Sequence, residues 1–274
     1  MRDCRANRSL PCLLLALTAL VVLGPTPLEA ATAERPRIGL VLGGGGARGV
    51  AHVGVLRFLE EMRIPVDCVA GTSMGSIIGG LYASGMTPSD MDKTLKRIDW
   101  PEVFNDGPPR ADLPWRTKQE QRRLLTDAAI GVQGGKIQLP QGLLQGQNLL
   151  LLLQELALPA TGIHDFDRLK VPYRAVATDI ATGNPVVLGS GDLAKAMRAS
   201  MSIPSALVPV KLDDKLLVDG GVSDNLPIDV VRKLCQPDVI IAVDVGAPLA
   251  PTNELTSVLS ITNQLTTILT VRNV

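Results

Sequence analysis

Between residues 35 and 100 the apolar and polar positions fall into blocks that predict strand, loop, helix, strand, turn and helix in that order. Arg37 to Leu42 is a short, nearly continuous apolar run of the kind a doubly covered strand needs. Beyond the glycines of 43–49, Val50, Val53, Leu56 and Leu59 recur at helical spacing, with Glu60, Glu61 and Arg63 closing the polar side, so a helix is expected over Val50 to Met62. Val66 to Ala70 reads as the next buried strand. Ser76 to Ser84 reads as a helix weakened by Gly79 and Gly80.

Further along, the pattern loosens and then resumes. The stretch Asp99 to Gly142 holds Pro101, Pro108, Pro109, Pro114 and the charged run Lys118 to Arg123, and is read as a surface excursion rather than a domain boundary. The leucines Leu149 to Leu153 place a buried helix over Asn148 to Leu158. Tyr173 to Ala177 and Pro185 to Leu188 are expected as strands around a turn at Thr182-Gly183-Asn184. Leu193 to Met201 follows as a helix, Leu216 to Val218 as a short strand and Val239 to Val243 as the last strand. Helical apolar spacing returns over 253–274 without a stop signal. This alternation predicts an α/β fold with a mostly parallel central sheet covered by helices.

The N-terminus stands apart from that pattern. Arg2, Arg5 and Arg8 precede the apolar run Leu13 to Leu23, and Ala31-Thr32-Ala33 supplies small residues after it, so 1–33 is expected to be a signal peptide removed on export. The run is shorter than the roughly 20 apolar residues of a spanning helix. One folded domain is then expected over 34–250, with 251–274 a C-terminal helix open to continuation. The expected destination is the periplasm, the outer membrane and cell surface, or the medium. Removal of the leader takes Cys4 and Cys12 with it. Cys68 and Cys235 lie in apolar stretches, and two buried free thiols are expected in preference to a disulfide, because a free cysteine behaves as a small core hydrophobe. A net charge of zero over 274 residues gives no basis for nucleic-acid binding.

The candidate chemistry sits in the first two loops. Gly71-Thr72-Ser73-Met74-Gly75 is a G-x-S-x-G pentapeptide between an expected strand and an expected helix, the setting in which small neighbours expose a nucleophilic serine. Gly44-x-Gly46-x-x-Gly49 also fits a dinucleotide fingerprint, yet Asp67 precedes the apolar part of its strand, where the ribose-binding acid would stand at the end. No Gly-Lys-Ser/Thr is present for a nucleotide-hydrolase loop. The loop is better read as an oxyanion hole, since glycines without side chains can turn successive backbone N–H groups toward one point. A serine needs a base, and the only histidines are His52, in the first helix, and His164, in a polar loop. Bracing or packing suits His52 better than catalysis, and neither histidine completes the Ser, Asp, His order of α/β-hydrolases. The alternative base is Asp219, followed by Gly220 and Gly221, although an ordinary turn aspartate is an equal reading from composition alone.

Taken together, Gly43 to Gly49, Gly71 to Gly75 and Asp219-Gly220-Gly221 resemble, in order and approximate spacing, the signatures of patatin-like phospholipases. Ala177-Thr178-Asp179, Arg198-Ala199-Ser200 and Asn225-Leu226-Pro227 resemble that family's connecting segments, so the likeness runs from about Arg35 to Pro248. The resemblance implies a three-layer α/β/α fold and hydrolysis of glycerophospholipid acyl esters at a membrane surface, without cofactor or metal. It implies Ser73 as nucleophile, Asp219 as general base, Gly44 to Gly46 as oxyanion hole, and Arg48 with Gly49 as the supporting end of the loop. Arg48 is left to brace the loop or to meet lipid phosphate. Bacterial members made as passengers of outer-membrane β-barrels are similar in layout, and both a barrel beyond these residues and a homodimer stay open. The rival reading is a secreted or surface lipid-binding domain with little turnover.

Overall fold

The expected alternation builds one mixed sheet. In the computed structural model, which describes residues 35–106, 111–121, 131–133, 136–138, 144–204 and 206–274, the chain opens with β1 (Ile38–Leu42), α1 (Ala51–Glu61), β2 (Cys68–Thr72) and α2 (Met74–Ser84). Helices α3 (Pro88–Arg97), α4 (Trp100–Val103) and α5 (Trp115–Gln121) follow, then the small hairpin β3 (Gly131–Gln133) and β4 (Lys136–Gln138). Next come α6 (Gln147–Leu156), β5 (Tyr173–Asp179), β6 (Pro185–Leu188) and α7 (Leu193–Ser200). The chain ends with β7 (Val210–Leu212), β8 (Lys215–Asp219), α8 (Ile228–Cys235), β9 (Val239–Val243) and α9 (Val258–Arg272). The leader expected over 1–33 lies outside the described residues, as do parts of the expected excursion at 99–142.

Strands β9, β1, β2 and β5 are mutually parallel, and β6, β8 and β7 add an antiparallel flank. Burial along all of β2 and nearly all of β1 explains why both read as continuous apolar runs. Alternate residues serve opposite faces: Leu40 and Leu42 enter the main core, while Val41 joins Cys68, Ala70 and Val231 beneath α8. Helices on both faces make the three-layer α/β/α arrangement. Each fully buried leucine or isoleucine in it is worth roughly 1.5–3 kcal/mol of transfer free energy.

Two expectations are corrected. Cys68, opening β2, and Cys235, closing α8, form a disulfide with a Cα–Cα distance of 6.2 Å rather than remaining free thiols. Packing of α8 on the β1–β2 face brings the two together across 167 residues, so the shared apolar setting reflected mutual contact. The leucine-rich helix is only half-buried. In α6, Leu149 and Leu153 enter the core whereas Leu151 is 55% exposed, because a helix on the outside of a sheet buries one stripe. Helices α3 and α8 and strand β7 were not anticipated. The start of α3 is marked by Thr87, whose side chain accepts from Asp90 N–H, with Pro88 in the first turn.

Strand β5 is what assembles the site. Its position Val176 pairs with Thr72 at the end of β2, and its next position, Ala177, pairs with Asp219 at the end of β8. Since β6 occupies the other edge over Ala175–Thr178, β2 and β8 share one edge of β5. Running in opposite directions, they meet there end to end. The segments after Thr72 and Asp219 are thereby brought to one place, although the two residues are far apart in sequence.

Candidate active site

Ser73 stands between β2 and α2 with φ 53° and ψ −124°, a backbone conformation that L-residues rarely adopt. Such a residue costs of order 1–3 kcal/mol and persists only where its surroundings over-determine it. Here the surroundings do so. Ser73 N–H donates to Ser200 Oγ at 2.9 Å, and Ser200 Oγ donates in turn to Val176 O at 2.5 Å. Ser73 O accepts from Ser76 N–H at 2.9 Å and from Ser76 Oγ at 2.7 Å. The flanking glycines are required by close approach. A Cβ on Gly71 would lie 2.3 Å from Gly75 O, and one on Gly75 would lie 2.1 Å from Leu42 O.

The strained turn points Ser73 Oγ at Asp219, where it donates to Oδ2 at 2.6 Å; both residues are buried. Asp219 Oδ1 accepts from Gly221 N–H at 2.8 Å, which is the local work of the Asp219-Gly220-Gly221 turn. The backbone of Asp219 is held on both sides, its N–H by Ser202 O at 2.9 Å and its carbonyl by Thr178 Oγ1 at 2.9 Å. Burial pushes the Asp219 carboxyl up to about 6, against the hydrogen bonds from Ser73 and Gly221, which lower it. A carboxylate so placed is a stronger proton acceptor than an exposed one.

The glycine loop lies against this pair. Gly44 N–H is engaged by Asn225, at 3.3 Å to its carbonyl oxygen and 3.2 Å to Oδ1. Gly45 and Gly46 have no protein acceptor for their N–H groups among the described residues, and both line the cavity that holds Ser73 and Asp219. That cavity has a volume of about 230 Å³ and is bounded also by Asn225 and by Asn263, Thr266, Thr267 and Thr270 of α9. The end of α9 is tied to the same loop, since Asn225 N–H donates to Asn273 O at 2.9 Å.

The remaining candidates are placed as follows. Buried His52 bonds through Nε2 to Gly43 O at 2.8 Å and so braces the start of the glycine loop. Burial lowers its pKa, partly offset by that bond and by the charge of Asp244, and favours the neutral ring with Nε2–H donating. His164 is exposed in its loop, and its carbonyl accepts from Gly191 N–H. Arg48 reaches across to Gly246 O at 3.3 Å, a bracing contact from an exposed side chain, and Gly49 packs on Met74 at the start of α2. Among the described residues, no group of three or more His, Cys, Asp or Glu side chains is gathered that could hold a metal ion. Sequence reasoning gave no role to Ser200, Asn225 or the polar side of α9. A signal existed for the first two, since both stand in the connecting segments quoted above, and buried polar side chains of this kind require partners.

Known proteins are similar to this chain. Residues 40–232 match the patatin-like phospholipase family. An uncharacterized NTE family protein of Mycobacterium tuberculosis is 32% identical over 233 residues, covering 84% of this chain and 55% of the relative. A patatin-like phospholipase domain-containing protein of Caenorhabditis elegans is 41% identical over 212 residues, covering 77% of this chain and 14% of the relative. A lysophospholipase of Aspergillus fumigatus is 35% identical over 210 residues, or 77% of this chain and 12% of that protein. The chain thus spans about half the length of the mycobacterial relatives and a small part of the others. Among solved structures, VipD from Legionella pneumophila superposes with a TM-score of 0.45 at 16% identity over 70% of this chain and 47% of that one. ExoU from Pseudomonas aeruginosa, in complex with SpcU, gives 0.42 at 16% identity over 86% and 52%. The matched span runs from β1 into α8 and so contains the glycine loop, Ser73 and Asp219: the chain belongs to the patatin-like phospholipase family.

Proposed function

We propose that this chain hydrolyses acyl esters of glycerophospholipids through an acyl-enzyme on Ser73, with Asp219 as the sole side-chain base. The observation that carries the reading is the 2.6 Å hydrogen bond from Ser73 Oγ to the buried Asp219 carboxylate. As Oγ attacks the ester carbonyl, Asp219 Oδ2 accepts its proton, and the departing alcohol takes that proton back. The tetrahedral oxyanion is met by the N–H groups of Gly45 and Gly46, the loop amides without a protein acceptor among the described residues, each donor of this type being worth ~3 kcal/mol. Asp219 then takes a proton from water as it attacks the acyl-serine, and passes that proton to Ser73 Oγ as the fatty acid is released. Burial supports the role. A lift from 3.8 to about 6 is a gain of roughly two units in basicity, or about 3 kcal/mol of proton affinity. The fungal relatives are lysophospholipases by name, which supports a phospholipid-derived substrate.

In this reading the chain acts after export, and the Cys68–Cys235 disulfide supports an oxidising compartment. N-terminal sequencing of secreted product is expected to start near Ala31 to Glu34. The functional test is release of fatty acid from a fluorogenic phospholipid. Ser73→Ala and Asp219→Asn are each expected to lower turnover at least a thousandfold with unchanged circular dichroism. Retained turnover in either variant refutes the pair.

A further inference from the structure

Helix α9 is built inside out. Asn263, Thr266, Thr267 and Thr270 line the Ser73 cavity, and the three threonines donate their hydroxyls back to carbonyls of their own helix. Ile261, Leu265 and Leu269, spaced four residues apart, are 48%, 55% and 44% exposed. At 100° per residue these two sets occupy opposite sides of the helix. A surface helix ordinarily turns its apolar stripe to the core and its polar face to water. Here the apolar ridge faces water. Leu249 extends it, because Ala250 is bonded through both its N–H and its carbonyl to the Gln264 side chain, which holds Leu249, itself exposed, alongside the helix.

Exposed apolar surface of this kind marks a contact site, and its setting identifies the occupant. The opposite side of the same helix bounds the cavity in which an acyl ester has to reach Ser73. That cavity, about 230 Å³, is smaller than the roughly 300–1,000 Å³ of pockets that enclose a drug-sized ligand, so a phospholipid presents its ester from just outside it. Arg272 is the only charged residue in α9, and the helical wheel puts it on the ridge side, where a cation suits anionic head groups. With fifteen residues, α9 is shorter than the roughly 20 of a spanning helix, so its exposed ridge can meet a bilayer only along the surface.

We propose that the outward ridge of α9, formed by Ile261, Leu265 and Leu269 with Leu249 beside it, seats the protein on a lipid bilayer next to the catalytic cavity. The inference rests on the lipid-hydrolase reading above. Its test uses the whole chain with vesicles of phosphatidylcholine and phosphatidylglycerol, and with a water-soluble short-chain nitrophenyl ester. Leu265→Glu with Leu269→Glu is expected to weaken co-sedimentation with vesicles about a hundredfold, roughly tenfold per leucine withdrawn from the interface. Vesicle-lipid hydrolysis falls with it, while hydrolysis of the soluble ester stays within twofold. Leu249→Glu, off the helix, should reproduce part of the loss without touching α9. Unchanged vesicle binding in these variants overturns the proposal. So does a lipid-free dimer that the double variant dissociates, since a second copy would then own the ridge. Ser73→Ala separates the two readings: it should still co-sediment with vesicles, and if it still cleaves the soluble ester the catalytic assignment fails independently of docking.

Discussion

Replacing Asp219 by Asn should stabilise the protein while abolishing its activity. The carboxyl is lifted from 3.8 to about 6, chiefly by burial. A group whose folded pKa is raised contributes stability that is complete below the unfolded pKa and is lost as pH rises through the folded one. At about pH 8 the charged form therefore costs the folded state roughly two units at 1.36 kcal/mol each, or about 3 kcal/mol. Asn cannot ionise, keeps an oxygen for Gly221 N–H, and fills the same space. Urea unfolding of Asp219→Asn and wild type, with the m-value checked for constancy, should show the variant ahead by up to about 3 kcal/mol near pH 8 and level with wild type near pH 3.5. The difference between the two proteins cancels the other titrating groups. A variant that is less stable at pH 8, or whose advantage does not shrink on acidification, would refute the claim that burial holds Asp219 at an energetic cost.

Three further outcomes follow from the same geometry. With a soluble ester, kcat/KM should rise through a single ionisation near pH 6 as Asp219 loses its proton, measured as a pH–rate profile; a profile flat across that region contradicts its role as base. Reduction of the Cys68–Cys235 bond, or Cys235→Ser with Cys68→Ser, should lower unfolding stability by roughly 2–5 kcal/mol in urea titrations, because the bridge closes a loop of 167 residues. Ser200→Ala leaves Ser73 N–H without its acceptor and should cost roughly 1–3 kcal/mol of stability. Its steady-state kinetics should show kcat reduced with KM little changed, since the elbow shifts while the substrate-binding walls remain.

The site was legible where it is local. A glycine-flanked serine after an apolar run announces a strand-to-helix turn, and Asp219 before two glycines announces a tight bend at the end of a strand. The first strand was also plain, because a buried parallel strand reads as an unbroken apolar run; the last, Val239–Val243, reads the same way although it ends the sheet and is only partly buried. What escaped is held by distance in sequence. Ser200 lies 127 residues from the amide it receives, Asn225 lies 181 residues from Gly44, and the two cysteines meet only when α8 covers the β1–β2 face. Helix α3 escaped for a different reason. It buries only Pro88, Met91 and Leu95, and so carries too few apolar positions to declare a period. The helical spacing of α9 was readable, but its orientation was not, since apolar periodicity normally faces inward and here it faces out.

The central claim is that Ser73 carries the acyl group and hands its proton to Asp219. Acid quench of the protein during turnover of a phospholipid or nitrophenyl ester, followed by peptide mass spectrometry, reads this directly. The account predicts an acyl mass on the peptide containing Ser73, present in wild type and absent from both Ser73→Ala and Asp219→Asn. An acyl group on another residue, or its undiminished formation in Asp219→Asn, would contradict it.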